Sequence, residues 1–240
     1  MNIRGRELSL ILAVVLAAAA TAAAQTAPAR TLGEFEAAIA AHPEDLRLAA
    51  DYRQQAIASK QFDRAIDFLD RLADRRGSGP NIKLSLALAY VDKVPVVGDL
   101  RKLYLGRDAI NAASRSIEQR PTALAYYVRG LIQIYYNNFI FHRVPRGIDD
   151  FKQALTLIMP DTSAFELWHL YTALGDAYWR LDDRMGARET WKKGLLLVPD
   201  SVELQRRLMA DDMSAGRIVD RALDPDNRVD TSLKGVTNLP

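Results

Sequence analysis

The sequence predicts an all-α chain of about four stacked helical pairs closed by a C-terminal helix, and three observations predict it. The stretch from Trp168 to Ser201 reads as helix, turn, helix. Tyr171, Leu174, Gly175 and Tyr178 lie at helical spacing, Asp182 and Asp183 break the pattern, and Ala187, Trp191, Gly194 and Leu195 share one face before Pro199. Pro121, Pro160 and Pro199 then recur every 39 residues, each closing a unit of this kind, which marks repetition. Finally, Thr31 with Glu34 and Ser163 with Glu166 have the spacing of capping boxes, in which each side chain takes up a backbone N–H at a helix start.

Within Trp168 to Ser201, Leu174-Gly175, Tyr178, Ala187, Trp191 and Pro199 fall in the places of the tetratricopeptide (TPR) signature. Tyr171 stands where Trp is usual and Gly194 where Ala is. The segment resembles a TPR repeat. The resemblance implies a right-handed superhelical array in which the first helix of each pair lines a concave face, and it implies a binding scaffold rather than an enzyme.

Taken in order, residues 1–24 have the three parts of a signal peptide: Arg4 and Arg6, an apolar run from Leu8 to Ala20, and Ala22-Ala23-Ala24 before Gln25. Export to the periplasm or beyond is therefore expected. No later stretch is apolar for the ~20 residues a membrane span needs. Residues 25–30 form a flexible N-terminus, and 31–222 the repeat domain. Helices are expected from about Leu32 to Ala41, Asp45 to Ser59 and Phe62 to Arg75, before Gly77-Ser78-Gly79-Pro80 breaks the chain. Four pairs follow the repeat register, at 45–79, 80–121, 122–160 and 164–200. The second is interrupted by an insertion at 93–99 and the third by another at 137–144, rich in aromatics. The helix from Thr122 to Tyr136 is apolar nearly all round and should be central or covered. Ser201 to Ala222, with Gln205, Arg206, Arg207, Asp211 and Asp212, suits one polar capping helix. Residues 223–240 read as an extended or disordered tail.

Composition narrows the function classes. The net charge of +2 falls to +1 once Arg4, Arg6 and Glu7 are removed, so no nucleic-acid partner is indicated. Without cysteine there are no disulfides, thiolate metal sites or cysteine nucleophiles. No phosphate-binding glycine loop, nucleophile elbow or HExxH motif occurs. His42, His142 and His169 sit on separate elements, and a metal site from His142, His169 and Asp176 has no ligand spacing behind it. Asp224, Asp226 and Asp230 lack the glycine and glutamate of a calcium loop. No catalytic residue, metal or cofactor is expected.

The resemblance places particular residues on the concave face. They are Leu84, Leu88 and Val91 in the second pair, Tyr127, Leu131, Ile134 and Tyr135 in the third, and His169, Thr172, Asp176, Trp179 and Arg180 in the fourth. The family's Lys, Arg and Asn clamp for a C-terminal carboxylate is missing. The expected occupant is a protein or peptide segment on a partly apolar groove. A small-ligand carrier with an aromatic cavity near Tyr127, Tyr135 and Trp179 is the alternative, and an uncharacterised enzyme the third reading. Two arrangements stay open: a free groove, or one filled by the insertions at 93–99 and 137–144. The free groove fails if those insertions cover Leu88, Leu131 and Tyr135.

Overall fold

The computed structural model describes residues 30–136, 141–158, 164–227 and 229–234. The signal peptide expected over 1–24 lies outside them. The chain divides into residues 1–31 and 32–240, and the described residues of the second unit form eleven α-helices and no strand. They are α1 (Leu32–Ala41), α2 (Leu46–Ala58), α3 (Phe62–Ala73), α4 (Pro80–Lys93), α5 (Asp99–Gln119), α6 (Ala123–Tyr135), α7 (Val144–Thr156), α8 (Ala164–Arg180), α9 (Arg184–Leu197), α10 (Val202–Met209) and α11 (Asp212–Ala222).

Short polar residues start several of these helices by taking up an orphan backbone N–H. The Asp45 carboxylate accepts from Leu48 N at 2.9 Å, Thr122 Oγ1 from Ala125 N at 3.2 Å, and Asp183 from Gly186 N at 2.8 Å. Pro80 opens α4 and Pro145 the first turn of α7, where a missing N–H costs nothing. The capping box expected at Ser163 lies outside the described residues.

The pairs α2/α3, α4/α5, α6/α7 and α8/α9 pack helix to helix, and the first helices α2, α4, α6 and α8 contact one another in succession. Repetition shows in the turns as well. Lys60 and Asp182 each sit two residues past a first helix and two before its partner, both in the left-handed region, at φ 57° and 64°. Inside the third pair, a Cβ at Gly130 would lie 2.7 Å from the Phe151 ring and 3.1 Å from the Gly147 carbonyl. Only glycine allows α6 and α7 to approach this closely.

The core runs between the two helix rows. Leu69, Ile82 and Leu86 fill it near the start, Ala109, Ala125 and Val128 in the middle, and Phe151, Trp191 and Leu204 near the end. Ion pairs made by the buried carboxylates of Asp150 and Asp176 tie elements together. Arg129 grips Asp150 through two bonds of 2.9 and 2.6 Å, and Gln133 donates to the same carboxylate at 2.6 Å. Arg207 of α10 holds Asp176 of α8 through two bonds of 2.8 Å, with the Trp191 indole N–H donating to it at 3.2 Å.

One expectation is corrected. The single capping helix over 201–222 is two helices, because Ala210 is extended and the Asp211 carboxylate accepts from Ser214 N at 2.8 Å, starting α11 afresh. The break lets α11 turn back onto α8, with Ala215 and Val219 fully buried.

Candidate functional site

The row of first helices leaves a cavity of about 430 Å³ bounded by α4, α5, α6, the end of α8 and the segment after α11. Its walls are mainly aliphatic and aromatic. Leu88 and Val91 come from α4, and Tyr127, Leu131 and Tyr135 from α6, at the helical spacing that puts them on one face. Arg180, the last residue of α8, lines it as well. The first insertion forms a short 3₁₀ turn at Val94–Val96, and Val94, Pro95 and Asp99 line the cavity together with Phe141 of the second. These residues wall the space without filling it. Residues 137–140 lie outside the described residues.

The unexpected occupant is the C-terminal segment. Pro225, Asn227, Val229, Asp230, Thr231 and Leu233 line the same cavity from the far side. Polar ties hold this non-helical strap and the helix end before it. Tyr135 donates its hydroxyl to the carbonyl of Ala222, the last residue of α11, at 3.0 Å, and Lys102 pairs with Asp226 of the strap. Deepest of all, Arg53 Nη2 donates to the Thr231 carbonyl at 2.7 Å while the Thr231 hydroxyl donates to Asp92. Arg53 and Asp92 are themselves an ion pair at 2.9 Å, joining α2 to α4. Arg53, Asp92 and Thr231 are only 1%, 5% and 4% exposed, so the strap seals the pair from water.

A smaller cavity of about 80 Å³ adjoins, bounded by Tyr127, His169, Asp230 and Leu233. Trp168 stacks on the His169 ring at 3.6 Å, and the Tyr127 hydroxyl lies 3.4 Å from His169 Nδ1. Burial pushes the His169 pKa down to about 4, against the pull of the Asp230 and Glu203 carboxylates, so the ring is neutral at neutral pH. Burial raises the Tyr127 and Tyr135 phenols, which remain protonated donors.

The residues carried over from the repeat register divide into two groups. Leu88, Val91, Tyr127, Leu131, Tyr135 and Arg180 line the larger cavity, and His169 the smaller. Leu84, Ile134, Thr172, Asp176 and Trp179 are buried in the interior instead. Asp176 is spent on Arg207, and Trp179 stacks on Trp191 at 5.5 Å with the Arg184 guanidinium 4.0 Å above its ring. The separate α11 explains why Trp179 is covered. Sequence reasoning missed Arg53, Asp92, Lys102 and Thr231. Arg53 carried a signal, since it precedes the left-handed Lys60 by the same interval that separates Gly175 from the left-handed Asp182, and so occupies the place where the repeat has glycine; nothing local marks Thr231.

No cluster of three metal-ligating side chains occurs among the described residues, and none of their helices is long and apolar enough to cross a membrane. What they define is an all-α helical repeat array of the TPR kind with an apolar groove along its first-helix row. Among solved structures it is similar to TTC0263, a thermophilic TPR protein of Thermus thermophilus, with a TM-score of 0.56 and 21% identity over 74% of this chain and 86% of that one. A second similarity, to the APC/C Cut9–Hcn1 hetero-tetramer, has a TM-score of 0.36 and 15% identity over 80% of this chain and 46% of the other. No family model and no curated protein matches the sequence. The first likeness shows the fold.

Proposed function

We propose that this chain is an exported scaffold that binds a non-helical segment of a protein partner along the groove of α4 and α6, and that it catalyses no reaction. The observation that supports this most is the strap itself: the groove already holds an irregular peptide segment, through both main-chain and side-chain bonds. Export rests on the three-part pattern of residues 1–24. A photo-crosslinking side chain at Val91 or Leu131 should trap a protein partner in a native extract, whereas one at Leu196, exposed on α9, should not. Trapping at Leu196 alone contradicts the proposal.

A second reading, a carrier for a small apolar ligand, is favoured by the cavity between strap and helices, whose 430 Å³ falls in the ~300–1,000 Å³ range of small-molecule pockets. Saturable binding of an apolar fluorophore that disappears in Leu131→Trp, which fills the space, would support it. Equal binding by both chains counts against it.

A further inference from the structure

We propose that Arg53 and Asp92 form the recognition point of the groove, that they select a serine or threonine within a non-helical peptide segment, and that this chain's own residues 229–234 compete for it. The inference rests on the groove being a peptide-binding site. Arg53 uses Nη1 on Asp92, at 2.9 Å, and Nη2 on the Thr231 carbonyl, at 2.7 Å. Asp92 divides in the same way, one oxygen on Arg53 and the other accepting from the Thr231 hydroxyl. Toward the strap the pair offers a donor, Arg53 Nη2, and an acceptor, an Asp92 oxygen, and a single hydroxyl residue engages both, its carbonyl taking the donor and its hydroxyl the acceptor, with the Gln54 amide 3.4 Å from the same hydroxyl.

Alanine or valine at that point would keep the carbonyl bond and lose the hydroxyl. A bond to a charged group in a dry site discriminates by about tenfold or more. Val229 and Leu233, two residues to either side of Thr231, both line the apolar cavity. The preferred partner segment is thus a serine or threonine with an aliphatic residue two places before it and another two places after.

The strap is held so that it can be displaced. Its rim tie, Lys102 with Asp226, leaves the Asp226 side chain 72% exposed, where water and salt compete. Apart from Thr231, its described residues from Asp224 onward are exposed or half-buried. A partner presenting the same pattern at high local concentration would exchange with it.

The test uses the full chain and a fluorescein-labelled peptide copying residues 224–234. Binding, read by anisotropy, should be at least about tenfold tighter to Thr231→Val, whose own strap has lost its hydroxyl, than to the unmodified chain. A peptide carrying valine in place of that threonine should bind the Thr231→Val chain at least about tenfold more weakly than the native-sequence peptide. Asp226→Lys, an exposed change that sets like charges together at Lys102, should also admit the peptide and guards against a folding defect in Thr231→Val. Equal affinity of the two peptides overturns recognition by Arg53 and Asp92 while leaving the groove proposal standing. Equal affinity of all three chains for the native-sequence peptide overturns competition by the strap. If no peptide binds and crosslinks at Val91 and Leu131 trap nothing, the groove proposal itself falls.

Discussion

Gly175 of α8 lies against the indole of Trp191 on α9 so closely that a Cβ there would stand 2.2 Å from Nε1. The Leu-Gly pair of the fourth repeat thus sets the distance between its two helices, and Trp191 is fully buried. Gly175→Ala should destabilise the chain by about 1–3 kcal/mol through forced displacement of the ring. For a domain of this size that is a fall of roughly 2–10 °C in melting temperature. An unchanged melting temperature would mean that the helices separate freely.

Trp179 and Tyr135 should behave differently. Trp179 is 5% exposed, stacked between Trp191 and Arg184, so Trp179→Ala should cost about 3–5 kcal/mol in urea unfolding. Tyr135 faces the cavity and donates to Ala222, so Tyr135→Phe should cost only about 0.5–1.5 kcal/mol. No loss at all would show that the bond from Tyr135 to Ala222 is not made.

Asp176 is the buried partner of Arg207, and removing it takes both of its bonds from a buried guanidinium and leaves only the half-exposed Glu203 carboxylate, 2.7 Å away, to balance that charge. Asp176→Ala should therefore destabilise by about 3–5 kcal/mol, measured by chemical unfolding. A loss below about 1 kcal/mol would show that the pair is open to water.

The buried His169 gives a pH dependence of known sign. Its pKa is about 4 in the folded chain and about 6.5 when unfolded, so the unfolded chain takes the proton first. The stability linked to this ring is complete above pH 6.5 and is lost as pH falls toward 4. The loss is about 3 kcal/mol for a sealed ring and smaller for this partly covered one. In His169→Phe the slope of unfolding free energy between pH 4 and 6.5 should flatten. An identical slope would show that His169 titrates freely.

Much of the fold was legible because repeat packing is written in local spacing. Leu174-Gly175, Trp191 and the 39-residue prolines fix the helix pairs, and α1 spans Leu32–Ala41 as the periodicity predicts. The missed start of α11 was legible too, since Asp211 and Ser214 have cap spacing, but the polar run hid it. The groove was only half legible. A register shows which helix face points inward without telling wall from interior, so spacing alone cannot separate Leu131, on the cavity, from Ile134, in the core. Thr231 was invisible because its partner Arg53 lies 178 residues away in sequence, beyond any local pattern.

The most direct test of the account uses the absence of cysteine from the chain, which makes a single introduced thiol an unambiguous probe. Thr231→Cys places it where the side chain is buried between Arg53 and Asp92, and Lys234→Cys places a reference thiol at an exposed position on the same strap. If the strap occupies the groove, alkylation at position 231 should be at least about tenfold slower than at 234, and the residue 224–234 peptide should accelerate it. Equal rates at the two positions, with or without peptide, would contradict an occupied groove.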